Sequence, residues 1–224
     1  MIEVIPGIFE KDFQRIAERA ALIAPFVDWI HIDIADNRLV PNSSFLDPSP
    51  FKKLIQETGK KFELHMMIEN PLEISGSWIG VGFKRLLIHI ESVLKFDGGS
   101  SKVENEMRRL KLEKIEVGLA VDKETNIEEV FPYLDDVDCV LIMTIQAGFS
   151  GQQFIPEMLD KVRVIRERKP DLPIEVDGGI NDETAKMAVV AGATRLVSTS
   201  AIFNTEDVGE AILKLKNVQE RHKF

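Results

Sequence analysis

The sequence predicts a (β/α)8 TIM barrel, which is a ring of eight parallel strands that alternate with helices. Short runs rich in β-branched and apolar residues recur along the whole chain, at 2–6, 27–33, 61–67, 85–89, 115–121, 137–145, 173–176 and 194–198. Nearly continuous apolar runs are typical of parallel strands that are buried on both faces. Eight strand and helix units in 224 residues fit a compact barrel of this class.

Charged segments with apolar residues at helical spacing separate these runs. The clearest predicted helices lie at 12–23, 156–168, 181–191 and 205–218. In each of them apolar residues return every three or four positions, which is typical of a helix with one buried face. Pro156 fits the first turn of the second helix, and Asn181 fits the N-cap of the third.

We expect the whole chain, residues 1–224, to form a single domain. It has no linker, low-complexity tract or break in composition, and its loosest stretch, 96–101, is predicted to be a surface loop before a helix. The main alternative fold is an open, doubly wound sheet. Against it, the first strand-to-helix turn lacks the G-x-G-x-x-G pattern of dinucleotide-binding sheets.

Composition and charge exclude several classes of partner. The chain has 28 basic and 37 acidic residues, a formal net charge of −9, and no basic patch of the kind that binds nucleic acid or an anionic membrane. No run approaches the length of a membrane span, and the first residues do not resemble a signal peptide. The single cysteine, Cys139, lies in an apolar run, which predicts a buried thiol in a reducing compartment. We therefore expect a cytoplasmic protein.

Histidines and aspartates at the ends of predicted strands form the main candidate site. His31, His65 and His89 all lie at strand ends, and the active sites of barrels lie at the carboxyl ends of their strands. His31 and Asp33 are two residues apart on a strand, so their side chains point to the same face. His65 and Asp177 close the third and seventh strands. Two imidazoles and two carboxylates suit a divalent transition metal ion. The alternative for each histidine taken singly is a hydrogen-bonded core residue.

A second polar pair lies on the fourth predicted strand. Glu91 follows His89 by two residues. It is either a partner that orients a metal ligand or a substrate hydroxyl, or one half of a purely structural pair.

Turns of small residues follow the last three strands, and they are candidate phosphate-binding residues. Glycine lets the backbone approach an anion closely, and barrels often bind phosphate through the loops after the seventh and eighth strands. The alternative is that these are ordinary tight turns. The residues are Gly148, Phe149, Ser150, Gly151, Gly178, Gly179, Thr199 and Ser200.

Several motifs, in order and spacing, resemble the ribulose-phosphate 3-epimerase family over nearly the whole chain. They are HIDIADNRLVPN at 31–42, ELHMM at 63–67, HIE at 89–91, IMTIQAGFSGQ at 142–152 and EVDGGI at 175–180. The resemblance implies a ribulose-phosphate-binding barrel. It also implies an isomerase of the pentose phosphate pathway, active on a phosphorylated ketose and assembled as a homo-oligomer.

The resemblance also implies roles for the candidate residues. His31, Asp33, His65 and Asp177 would hold one divalent ion (Zn²⁺, Fe²⁺, Mn²⁺ or Co²⁺), with His65 also contacting substrate. Asp33 and Asp177 would be the acid–base pair that exchanges the proton at C3 through an enediolate. Such chemistry needs a carboxylate on each face of the carbon and a Lewis acid to stabilise the enediolate. The pocket lining would include Gly7, Ala35, Met67 and Met143.

This chain departs from the family pattern around the pocket. Ala35 replaces a methionine, Gly7 replaces a serine that contacts substrate, and Thr199 replaces a glycine. These changes leave two alternatives open beside D-ribulose 5-phosphate epimerisation: an epimerase of another phosphorylated ketose, such as allulose 6-phosphate, and a non-catalytic phosphate-binding barrel. A decarboxylase of related barrel type is disfavoured, because its Asp-x-Lys-x-x-Asp motif is replaced by His31-Ile32-Asp33.

Overall fold

The computed structural model describes residues 2–95, 99–149 and 151–218, and in that part of the chain eight parallel strands close into a barrel. For residues 99–103 and 106 it describes the backbone without the side chain. The strands are β1 (Glu3–Ile8), β2 (Trp29–Ala35), β3 (Lys61–Met67), β4 (Arg85–His89), β5 (Glu116–Val121), β6 (Cys139–Met143), β7 (Ile174–Asp177) and β8 (Arg195–Ser198). Each strand pairs in parallel with the next and β8 pairs with β1, which confirms the predicted barrel and excludes the open sheet.

Helices connect the strands and pack on the outside of the ring. They are α1 (Phe13–Ile23), α2 (Phe51–Thr58), α3 (Pro71–Val81), α4 (Ile90–Lys95), α5 (Gly99–Leu112), α6 (Met158–Arg168), α7 (Asp182–Ala191), α8 (Ser200–Phe203) and α9 (Val208–Lys216), with 3-10 segments at Ala24–Phe26 and Ile127–Tyr133. The four predicted helices are confirmed, with ends that shift by up to three residues. Within the described ranges, no helix is both long and apolar enough to cross a membrane.

Helix ends follow the side chains that cap them. Asn181 accepts hydrogen bonds from the backbone N–H groups of Glu183 and Thr184, and the Thr184 hydroxyl accepts one in return from the N–H of Asn181, so α7 begins with a reciprocal capping box. The predicted loop at 96–101 is wrong in its second half, because α5 begins at Gly99. Residues 96–98 lie outside the described residues.

Two apolar layers result from the alternation of side chains along each strand. One set, which includes Ile32, Leu64 and Val176, packs against the helices around the ring. The other set lies inside the barrel and includes Leu87 and Cys139. Cys139 is fully buried, as predicted, and burial raises the pKa of its thiol.

Candidate active site

The four residues predicted to bind a metal ion come together inside the barrel. His31 and Asp33 lie on β2, His65 on β3 and Asp177 at the end of β7, and one ligand atom from each lies within 4.8 Å of the others. Strand register places Asp33 opposite His65. Nδ1 of His65 lies 2.8 Å from Oδ1 of Asp33 and 3.6 Å from Oδ2 of Asp177, and Nε2 of His31 lies 3.1 Å from Oδ1 of Asp33. Contacts between β3 and β7 cross the barrel, so the four side chains share its central space.

The two histidines lie deeper than the sequence predicted. β2 continues four residues beyond His31, to Ala35, and β3 continues two residues beyond His65, to Met67. Neither histidine therefore ends a strand. Both imidazoles are fully buried, whereas the side chains of Asp33 and Asp177 are 10% and 14% exposed. The carboxylates therefore form the open side of the cluster, and the imidazoles form its floor.

The two aspartates have opposite pKa shifts. Burial favours the neutral form of Asp33, but the charge of His31 and the hydrogen bond between the two side chains outweigh it and hold the pKa of Asp33 well below the usual range. For Asp177, burial and then the charge of Asp33 raise the pKa to about 8. Burial lowers the pKa of His65 to about 4, so this imidazole is neutral at physiological pH. Two neighbouring carboxyl groups that hold a proton with such different strengths are suited to act as an acid and a base.

A layer of buried charge supports His31 from below. Its Nδ1 donates to Oε1 of Glu63 at 2.7 Å and lies 3.6 Å from Oε1 of Glu175. Arg85 on β4 pairs with Glu63 and, at 2.7 Å, with Glu116. With its Nδ1 proton committed to Glu63, His31 turns Nε2 toward the cluster, where a metal ion would displace the proton on that nitrogen. Sequence reasoning missed this layer, although Glu63 and Glu175 precede His65 and Asp177 by two residues and therefore share their faces.

A pocket opens above the carboxylates. It is lined by residues of the turns after β6, β7 and β8 together with apolar side chains of β3 and β6. Its lining residues are Phe9, Asp33, Met67, Met143, Ile145, Gly148, Phe149, Gly151, Asp177, Gly178, Gly179, Ile180, Val197, Thr199 and Ser200. The turns that the sequence singled out therefore meet the two aspartates in one cavity.

Four predicted pocket residues are placed elsewhere or lie beyond description. His65 is screened from the cavity because it lies beneath the aspartates. Ala35 is fully buried among the apolar side chains of the barrel interior. Gly7 lies against Thr199 and is not among the residues that line the cavity. Ser150 lies outside the described residues.

The glycine after Asp177 is required by the close approach of the two turns that follow β6 and β7. Gly178 has a φ of 115°, and a Cβ there would lie 2.3 Å from the side chain of Ile145. An L residue with a side chain rarely adopts that φ, and a methyl group has no room at that distance. The backbone next to Asp177 is thus fixed by the neighbouring turn.

Comparison with known proteins identifies the family. The family model for the ribulose-phosphate 3-epimerase family matches residues 3–203. The cytoplasmic isoform of ribulose-phosphate 3-epimerase from Oryza sativa is 33% identical over 97% of this chain and 94% of its own length. The enzyme of the same name from Bacillus subtilis is 31% identical over 96% and 99%. This chain belongs to the ribulose-phosphate 3-epimerase family. The family consists of isomerases that act in carbohydrate metabolism.

Solved structures of other enzymes share the fold of this epimerase-family chain. A 3-keto-L-gulonate-6-phosphate decarboxylase from Vibrio cholerae has a TM-score of 0.73 at 10% identity, over 98% of both chains. A 3-hexulose-6-phosphate synthase from Salmonella typhimurium has a TM-score of 0.71 at 16% identity, over 99% of this chain and all of the other. At such identities the likeness establishes the barrel architecture, and the chemistry must be argued from the site.

The donor atoms of this family member fit a divalent metal ion. Two imidazole nitrogens and two carboxylates converge, and this is the kind of ligand set that holds divalent transition metals in proteins. Burial and then the charge of Asp33 raise the pKa of Asp177, and a cation between the two carboxylates would relieve their repulsion. The chemistry of the donors therefore favours a cation at this point.

Proposed function

We propose that this protein is a metal-dependent 3-epimerase that interconverts D-ribulose 5-phosphate and D-xylulose 5-phosphate. The observation that carries the proposal is the pair Asp33 and Asp177, which lie at the base of the pocket beside a donor set suited to a divalent ion. They come from β2 and β7, which β1 and β8 separate in the ring. Two carboxylates so separated can approach one carbon of a bound sugar from different sides.

In the proposed reaction, one aspartate removes the proton from C3 and the other delivers a proton to the opposite face. The direction of the reaction decides which of them is the base. A proton next to a ketone is too weakly acidic for an unaided carboxylate to remove quickly. A divalent ion held by His31, Asp33, His65 and Asp177 would act as a Lewis acid towards the negative charge of the enediolate.

The phosphate group is proposed to lie against the turns after β6, β7 and β8. Because the chain carries a net charge of −9, it must hold an anion through local N–H groups and not through its overall field. Met67 and Met143 would form the apolar wall of the pocket beside the carboxylates. The residues proposed to contact the phosphate end are Gly148, Phe149, Ser150, Gly151, Gly178, Gly179, Thr199 and Ser200.

The test is turnover of D-ribulose 5-phosphate by protein reconstituted separately with Zn²⁺, Fe²⁺, Mn²⁺ and Co²⁺. We expect D-xylulose 5-phosphate to form with at least one metal ion. Asp177→Asn should lower kcat by about 10²-fold or more, since it removes a proton-transfer group. The control is Asp182→Asn, which changes an aspartate on α7 that pairs with Lys214. Lack of turnover with every metal would favour a non-catalytic phosphate-binding barrel.

Another phosphorylated ketose is a second candidate substrate. Thr199 occupies the space that a side chain at position 7 would fill, since a Cβ on Gly7 would lie 2.9 Å from its Oγ1. The wall of the pocket on this side is therefore built differently from that of a chain with serine at position 7. Comparison of kcat/KM for D-ribulose 5-phosphate and allulose 6-phosphate distinguishes the two candidates.

We further propose that the protein acts as a single-domain homo-oligomer in the cytoplasm. The family relationship and the name of the rice relative, a cytoplasmic isoform, support this. Light scattering of the purified protein measures its mass in solution, and a monomer at micromolar concentration would contradict the proposed assembly.

A further inference from the structure

A chain of hydrogen bonds leads from His65 away from the pocket. Nε2 of His65 lies 2.9 Å from Nε2 of His89, and Nδ1 of His89 lies 2.9 Å from Oε2 of Glu91. The other oxygen of Glu91 accepts a hydrogen bond of 2.9 Å from the backbone N–H of Asp122. Both imidazoles are buried and their ring planes differ by 14°. The chain thus runs through the protein interior from the candidate metal cluster to the start of the β5–β6 connection.

The backbone at Asp122 fixes the direction of the first hydrogen bond in this chain, and neutral histidines pass that direction on to His65. A backbone N–H can only donate, so the facing oxygen of Glu91 must accept. The other oxygen of the Glu91 carboxylate faces Nδ1 of His89 at 2.9 Å and is an acceptor as well. A neutral His89 in this place carries its proton on Nδ1 and has a lone pair on Nε2. That lone pair accepts from Nε2–H of His65.

We propose that Glu91 and His89 are positioning residues that fix the tautomer of His65, so that its Nδ1 is the nitrogen offered to the metal ion. With its proton on Nε2, a neutral His65 presents a lone pair on Nδ1, the atom that faces Asp33 at 2.8 Å and Asp177 at 3.6 Å. A metal ion bound at this nitrogen would take the place of the proton that can otherwise lie between Nδ1 of His65 and Asp33. The inference rests on the proposed metal-dependent function and assigns a role to two residues outside the ligand set.

Substitution Glu91→Gln is expected to reverse the whole chain. The amide oxygen must face the N–H of Asp122, because two donors cannot face each other, so the amide NH₂ group then donates to Nδ1 of His89. His89 would carry its proton on Nε2 and donate to Nε2 of His65, and the proton of His65 would move to Nδ1. The metal-free variant keeps every hydrogen bond and should fold, while its His65 no longer offers Nδ1 to a metal ion.

Two measurements test the inference. The ¹⁵N chemical shifts of His89 report its tautomer in the Zn²⁺-bound wild type and in metal-free Glu91→Gln, and competition with a chelator gives the Kd for Zn²⁺. We expect His89 to be protonated on Nδ1 in the wild type and on Nε2 in Glu91→Gln, with Kd raised about 10- to 100-fold in the variant. Glu124→Gln, a matched change at a side chain that is 89% exposed, should leave Kd unchanged.

The possible outcomes separate this inference from the proposed function. A wild-type His89 protonated on Nε2 overturns the inference without any variant. Zn²⁺ binding by Glu91→Gln as tight as that of the wild type overturns it also, and leaves the proposed function intact. A wild-type protein that binds none of the four divalent ions contradicts the proposed metal dependence and the inference together.

Discussion

Thr199 donates a hydrogen bond of 3.0 Å to the backbone carbonyl oxygen of Gly7, and so ties the turn after β8 to the end of β1. The first and last strands of the ring are thereby joined beside the pocket. The side chain of Thr199 has room in this place because Gly7 has no side chain.

Gly7→Ser should therefore destabilise the protein in a way that depends on residue 199. A Cβ at position 7 would lie 2.9 Å from both Oγ1 of Thr199 and Cγ1 of Val197. Overpacking of this kind costs about 1–3 kcal/mol in the free energy of unfolding. Thr199→Gly should recover part of that loss, because it removes one of the two obstacles. Denaturant unfolding of both single variants and the double variant measures the coupling, and strictly additive effects would contradict the arrangement.

Metal affinity should rise steeply between pH 6 and pH 8. In metal-free protein the pKa of Asp177 is about 8, and the pKa of His31 lies well above its usual value, because Asp33, Glu175 and Glu63 outweigh the effect of burial. Both groups therefore hold a proton that a metal ion must displace. Each displaced proton lowers Kd about tenfold per pH unit until the pH passes the pKa of the group. Calorimetric titration with Zn²⁺ at several pH values tests this, and a Kd that is constant from pH 6 to pH 8 would contradict it.

Arg85→Met should destabilise the protein far more than the loss of a surface ion pair. It would leave Glu63 and Glu175 buried inside the barrel without the guanidinium that lies near both. Removal of one partner from a buried charge cluster costs about 3–5 kcal/mol. The control is Arg163→Met, which removes an exposed pair with Asp160 and should cost less than about 1 kcal/mol. Equal midpoints of denaturant unfolding for the two variants would show that the buried layer is not stabilised by Arg85.

Gly178→Ala should cost more than the same change at another left-handed glycine. Gly178 has a φ of 115° and lacks room for a Cβ, whereas Gly59 has a φ of 65° and nothing within 4 Å of that position. Gly59→Ala should cost about 1 kcal/mol through backbone strain, and Gly178→Ala should add the overpacking against Ile145. Thermal unfolding compares the two variants. We also expect lower activity in Gly178→Ala, since the backbone beside Asp177 must shift.

The sequence was sufficient to predict the barrel because the pattern of an apolar strand followed by a helix is repeated eight times. A misplaced end in one strand, such as residue 33 in place of Ala35 for β2, does not alter the ring. The candidate metal cluster was also predictable, because His31 and Asp33 have the spacing of a single strand face. Spacing along one strand does not predict which residues of different strands meet across the ring.

The buried charges and the histidine chain were for that reason missed or left open. Glu63 and Arg85 lie on neighbouring strands and Glu175 lies across the barrel, so their contact depends on strand register and ring closure. In the same way, the role of Glu91 depends on Asp122, which follows β5 and is distant in the sequence. Strand four ends at His89 as predicted, and Glu91 lies beyond it in the first turn of α4.

Closure of the ring through β1 and β8 also has a consequence for the newly made chain. His31, Asp33 and His65 leave the ribosome well before Asp177 and the strand that seals the barrel. A growing chain therefore carries three donors without the fourth, and without the neighbouring strands that set their geometry. Contacts between distant parts of a chain form late and slowly. Loading of the proposed metal ion is thus expected to follow synthesis of β8, so that it takes place in a chain whose barrel has already closed.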